Sequence, residues 1–205
     1  RLAAALLPEA GVAGQFVAVT IAVWNPYVAE RLLQGHWSLL VGYGCLPWVA
    51  TTMLRLRTSL SSPWPEICAL VFWTALAGLT PTGLMLAATV ALACVFAPGS
   101  GRPRWLCAMV GLGVALLAAL PWLVAAGVSR SLSSSQAAGV AAFAARAEPG
   151  LGTLGSLASL GGIWNAEAVP GSRTTLFALV AALVLLGVVA VGLPVALRIP
   201  AAVPL

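Results

Sequence analysis

Residues 105–126 and 174–197 contain no charged side chain, and each run is long enough to cross a bilayer as one helix. Such runs admit few folds, because a peptide group in hydrocarbon must find its hydrogen bonds inside the protein. Four further apolar stretches, at about 10–24, 37–54, 64–79 and 83–97, follow the same pattern. Composition agrees: 61% of the residues are hydrophobic, 7% are charged, and the mean hydropathy is +1.03. A soluble domain carries roughly 25% charged residues. Too little polar surface remains to cover a globule in water, which excludes a soluble enzyme and a disordered tail. The expected fold is all-α, a polytopic transmembrane helical bundle of about five to six membrane segments. It is expected to form a single transmembrane domain over residues 1–205, with 127–173 as an outer loop. The chain opens on Arg1 and is read as part of a longer, multi-pass protein of the cytoplasmic (inner) membrane.

The middle of the chain decides the topology. Residues 64–97 are apolar but broken by Thr80-Pro81-Thr82-Gly83. Each half rises only about 22 Å, short of an upright span of roughly 30 Å. Arg55 and Arg57 precede the region, and Arg102 and Arg104 follow it. A single crossing separates these two pairs, whereas a Pro-broken hairpin keeps both on the cytoplasmic side, as the positive-inside rule prefers. The hairpin is therefore expected, its tip pointing outward or ending at depth inside the protein. Arg1 and Arg198 then join the inner set. Arg31, Arg130, Arg146 and Arg173 lie outside, with Glu30, Glu148 and Glu167. Residues 127–173, with eight Ser and eight Gly, form the long outer connection, and 137–147 suit a short surface helix.

Two segments concentrate polar chemistry. In the first, Asn25 suits a helix N-cap, Pro26 the first helical position and Gly35 the left-handed position after the last turn. Between them, Tyr27, Glu30, Arg31 and Gln34 follow i, i+3, i+4, i+7 spacing and share one face. That stripe is either a solvated face of an interfacial helix or the wall of a substrate cleft. In a cleft, Glu30 accepts a proton, Arg31 holds a phosphate, and His36 serves as acid or donor. Trp37 follows as an aromatic contact. The second segment, Gly161 to Arg173, offers Trp164 as a flat stacking face, Asn165 and Glu167 for hydrogen bonding, and Arg173 as a cation. It is either an ordinary loop anchored at the interface or the other half of the same site. Glu30 and His36 are thus the catalytic candidates. Tyr27, Arg31, Gln34, Trp37, Trp164, Asn165, Glu167 and Arg173 are the substrate-binding candidates.

Other classes find no support. One His and four Cys without a Cys-x-x-Cys pair offer no metal cluster, and no cofactor motif is present. All ten basic residues are Arg, scattered at the ends of apolar runs, which fits membrane anchoring rather than nucleic-acid binding. Glu66 is the one acid beside a middle span, so no chain of carboxylates of the kind proton pumps use is visible.

The run NPYVAERLLQGHWSLLVGYGCLPWV, the later GLTPTG, and GGIWNAEAVPGSR resemble large actinobacterial integral membrane proteins that are similar to the glycosyltransferase-C superfamily. The resemblance covers most of residues 20–175. It implies a polyprenyl-phosphate sugar as donor, a membrane lipid environment, and work at the outer face of the cytoplasmic membrane. Such transferases typically carry an acidic catalytic residue, often Asp, in the first outer loop. This chain has no Asp, and Glu30 is the acid in an outer loop here. A transporter or flippase subunit, suggested by the broken hairpin, and a non-catalytic scaffold in envelope assembly are the alternatives.

Overall fold

Polar grammar at the ends of the apolar runs fixes where each helix starts and stops. The computed structural model describes residues 2–98, 101–129 and 137–198, so Arg1 and Arg130 of the charge argument lie outside the described residues. In chain order the helices are α1 (Leu2–Leu6), α2 (Gly11–Val23), α3 (Pro26–Leu33), α4 (Trp37–Thr58), α5 (Trp64–Ala77), α6 (Pro81–Val95), α7 (Arg104–Ser129), α8 (Ala137–Ala142), α9 (Gly152–Ala158) and α10 (Phe177–Arg198). Among the described residues there is no β-strand, and the chain is all-α as the sequence implies. Among the described residues four helical stretches are long and apolar enough to cross a membrane: Pro8–Leu33, Trp37–Thr58, Arg104–Ser129 and Phe177–Pro194. These are the marks of a multi-pass membrane protein.

The single domain expected from the sequence is organised as two compact units. One is built from α1, the first part of α2 and α4 to α7; the other from the end of α2, α3 and α8 to α10. In the first unit, α4 packs against both α5 and α6, and α7 closes over the same pair. Its core is Cys45, Val49, Met53 and Leu56 from α4, Leu70 and Ala77 from α5, Ala87, Ala91 and Val95 from α6, and Cys107 and Val114 from α7. Trp48 and Trp73 stack across the α4–α5 seam with ring centroids 5.0 Å apart.

The Pro-broken stretch folds as the hairpin. Thr80 stops α5 from continuing and starts α6: its hydroxyl accepts the Gly83 amide at 3.0 Å, and Pro81 takes the first helical position, where its missing N–H costs nothing. Small residues let the hairpin close onto α4. A Cβ on Gly42 would meet the Ala77 carbonyl at 3.1 Å and the Gly83 Cα at 3.3 Å. On α7, the Trp122 indole donates to the Gly78 carbonyl at 2.9 Å. The tip thus ends at the level of Gly42 and Trp122, short of the first residues of α4 and the last of α7.

The open end of the hairpin is tied by arginines. Arg102 donates to the carbonyls of Leu56 (2.9 Å) and Ser59 (2.7 Å), and to that of Ser61. Arg57 donates to the Arg102 carbonyl at 2.6 Å. A buried guanidinium here satisfies carbonyls that the end of α4 leaves without helical partners. The same bonds put the two arginine pairs at one end of the unit, the placement that a hairpin demands and a single crossing forbids.

Packing at the tip distinguishes two glycines. A Cβ on Gly83 would fall against the Ala77 backbone carbonyl, whereas one on Gly111 would press on the end of the flexible Met53 side chain at 2.8 Å and make ordinary contact with the Ala91 Cβ at 3.8 Å. Gly83→Val is expected to lower stability by about 1–3 kcal/mol through overpacking, and Gly111→Ala to leave it nearly unchanged, as read by thermal unfolding in detergent.

Candidate functional site

In the second unit the polar stripe is assembled by its two caps. Asn25 is extended, and its side chain accepts the Val28 amide at 3.0 Å while donating back to the carbonyls of Ala22 (2.9 Å) and Ile21 (3.1 Å). One side chain therefore closes α2 and opens α3. At the other end Gly35 is left-handed (φ +69°), its amide bonds the Leu32 carbonyl, and the His36 amide bonds the Arg31 carbonyl at 3.0 Å. This is a Schellman turn, and it folds His36 back over the last turn of α3. There His36 Nδ1 lies 3.2 Å from Arg31 Nη1. A guanidinium only donates, so Nδ1 accepts in this bond. Arg31 also sits over the Tyr27 ring, 5.2 Å from its centroid.

The connection between α7 and α10 is not a bland linker. It folds around Glu148, whose side chain is fully buried. Arg173 reaches it from 25 residues away with two bonds, Nε to Oε1 at 3.1 Å and Nη2 to Oε2. The Gly162 amide adds a third bond at 3.2 Å, and Arg146 Nη2 lies at 3.7 Å. Ser159 accepts from Arg173, and Ser156 accepts the Glu148 amide. A carboxylate taken out of water needs such a complete shell, because neither Coulomb attraction nor one hydrogen bond offsets its desolvation alone. Gly161 passes so close to the pair that a Cβ there would strike both the guanidinium and the carboxylate.

These two pieces meet at a hollow of about 310 Å³ lined by Tyr27, Glu30 and Arg31 of α3, by Leu157 and Leu160, and by the backbone and side chains of 161–164 with Phe143 and Ala145. Trp164 and Phe143 form an edge-to-face aromatic wall, centroids 4.8 Å apart. Glu30 is 3% exposed. The Ile163 amide faces its carboxyl, and the charges of Glu148, Arg173 and Arg146 act on it. Yet Glu30 Oε1 has no hydrogen-bonding partner, and neither do Arg31 Nε nor the amide oxygen and nitrogen of Gln34, all buried. Leu160 closes α9 in the left-handed conformation (φ 65°) that a Schellman turn usually gives to glycine, its amide on the Leu157 carbonyl and the Gly161 amide on that of Ser156.

The ten candidates sort accordingly. Tyr27, Glu30, Arg31 and Trp164 line one hollow, and His36 reaches it through Arg31. Gln34 is half-buried on the same helix. Asn165 and Glu167 form their own turn, the Glu167 amide on Asn165 Oδ1 at 3.1 Å, outside that lining. Arg173, expected as a substrate-binding cation, instead holds Glu148. Trp37 opens α4 in the other unit and is exposed. Sequence reasoning missed Glu148, Ser156, Ser159 and the role of Gly161. The available signal was the pair of serines at i, i+3 followed by two glycines, with a glutamate and an arginine on either side.

Removing half of a buried pair exposes its logic. Glu148→Ala leaves the Arg173 charge buried and is expected to cost about 3–5 kcal/mol, while Glu148→Leu with Arg173→Met recovers much of it; limited proteolysis across 143–174 reads both. Leu160→Gly relieves the left-handed strain and is expected to stabilise the unit by about 1 kcal/mol, since Leu160 is 43% exposed and gives up little packing. Thermal unfolding measures it.

Among protein families, curated proteins and solved structures, none matches this chain.

Proposed function

We propose that the hollow beside α3 is the acceptor and donor-head site of a glycosyltransferase that uses a polyprenyl-phosphate sugar, at the outer face of the cytoplasmic membrane. The observation that carries this reading is the Glu30 carboxylate: buried, at the wall of the hollow, with Oε1 unpartnered. An unpartnered buried acceptor costs stability, and an acceptor hydroxyl entering the hollow offers it a donor. Three further features support the reading: the Arg31 guanidinium in the same wall, the aromatic wall of Trp164 and Phe143, and a size that admits a monosaccharide rather than a lipid chain.

In the transfer step the acceptor oxygen attacks the anomeric carbon and its proton passes to Glu30. The bond from that carbon to the phosphate oxygen breaks, and its electron pair leaves with polyprenyl phosphate. Arg31 stabilises the charge gathering on the leaving phosphate. Tyr27 beneath the guanidinium and His36 Nδ1 beside it limit its rotamers, so His36 acts as a positioning residue for Arg31 rather than as an acid.

The test is sugar transfer from polyprenyl phosphate by the membrane-embedded protein. Glu30→Gln is expected to lower turnover by about 10²-fold or more, with donor binding kept. Arg31→Gln is expected to weaken both binding and turnover. His36→Leu is expected to add nothing on top of Arg31→Gln. Full transfer by both single variants would overturn the site. Glycolipid movement across vesicles with no glycoside formed would replace it with a transporter.

A further inference from the structure

We propose that the arginine-bearing end of the first unit is a docking surface for anionic phospholipid headgroups. This inference stands apart from the transferase reading and uses none of its residues.

Four arginines gather at this end, and they divide by role. Arg57 and Arg102 are buried and spend their donors on backbone carbonyls of the connections they tie. Arg55 and Arg104 are exposed, and among the described residues neither has an ion-pair partner. Arg55 stands two residues from Arg57 on α4, about 200° around the helix, so burying one turns the other outward. Glu66, at the first turn of α5, is the one acid in α4 to α7, and no ion pair joins it to either exposed arginine. The four arginines outnumber it, so this end carries net positive charge.

Aromatic side chains sit at the same level. Trp64 opens α5 and Trp105 follows Arg104 at the start of α7; each is 68% exposed. Phe96, one residue beyond α6, and Leu60, just after α4, are exposed as well. Indoles favour the boundary between hydrocarbon and headgroups, where the ring is partly dry and the N–H is wet. With α4, α5, α6 and α7 apolar above them, these residues mark the depth at which the bilayer ends. A guanidinium at that depth meets a layer of phosphodiesters, and its planar fork matches two phosphate oxygens. The partner that fits is thus a lipid with net negative charge, such as phosphatidylglycerol, rather than a zwitterionic one whose choline offsets its phosphate. This end then faces the leaflet richer in acidic lipid, in keeping with the positive-inside rule.

The experiment uses the whole protein in vesicles, with dibrominated lipids as quenchers of tryptophan fluorescence. Brominated phosphatidylglycerol is expected to compete for the Trp64 and Trp105 surface several-fold better than brominated phosphatidylcholine. The preference is expected to fall about fivefold for each of Arg55→Gln and Arg104→Gln, to fall less in Arg104→Lys, which keeps the charge and loses the fork, and to shrink in high salt. Trp64→Phe with Trp105→Phe is expected to remove the lipid-selective part of the quenching. Soluble glycerol phosphate at millimolar concentration is expected to leave it unchanged. Equal quenching by the two lipids, or a preference kept in the double Arg55→Gln, Arg104→Gln variant, would overturn the proposal. Both arginines are exposed, so their loss leaves the fold intact, and unchanged thermal unfolding of the variants verifies this.

Discussion

A buried carboxylate must find inside the protein what water would have given it, and the second unit is arranged around the place where Glu148 does so. Arg173 arrives from just before α10, Gly162 from the loop after α9, and Ser156 and Ser159 from α9 itself. Each of these elements is short or irregular and buries little apolar surface. The charge pair supplies the long-range tie that a hydrophobic core supplies elsewhere. The geometry it imposes is tight: only a glycine fits at 161, and the chain then turns through Gly162 (φ 84°) toward Ile163 and Trp164. The aromatic wall of the hollow is thus held by an ion pair that does not line it.

The first unit uses arginine for a different shortage. At the end of α4 the missing partners are backbone carbonyls, and Arg102 serves three of them at once. A planar cation with five donors suits this task better than a lysine, and this chain contains no lysine. Elsewhere in the unit the constraint is steric. Gly42 and Gly83 let backbones approach where van der Waals packing, rather than water exclusion, must hold helices together. The two devices act at opposite ends of the hairpin, glycine at the tip and guanidinium at the base.

What the sequence makes legible follows from which interactions are local. Helix ends are local, so Asn25, Thr80 and Gly35 announce themselves, and the spans at 10–24, 37–54 and 105–126 come within a few residues of α2, α4 and α7. The hairpin is legible through charge, because Arg55, Arg57, Arg102 and Arg104 must share a side. The face joining Tyr27, Glu30 and Arg31 is legible through period. Pairing between distant residues is not. Nothing local says that Arg173 belongs to Glu148 rather than to a ligand, because a free cation and a paired one have the same letter. The expected surface helix at 137–147 ends at Ala142, since Phe143 turns to meet Trp164, a contact over twenty residues that no periodicity encodes.

Two glutamates of the second unit make the sharpest contrast. Glu148 and Glu30 are equally inaccessible, each 3% exposed, yet one has three bonds to its carboxylate and the other keeps an oxygen with none. A protein able to build the first shell could satisfy the second glutamate as well, or replace it with a leucine. Unsatisfied polar atoms persist where a stable fold tolerates them and a task requires them. In this unit the open oxygen of Glu30, the bare Nε of Arg31 and the left-handed Leu160 border one hollow, while the unpaired Nε of Arg146 and Nη1 of Arg173 lie around the Glu148 pair, outside that lining. The orphaned nitrogens of Arg146 and Arg173 belong to cations already paired with Glu148, whereas Oε1 of Glu30 is an acceptor at the wall of a hollow, open to a donor from outside the chain.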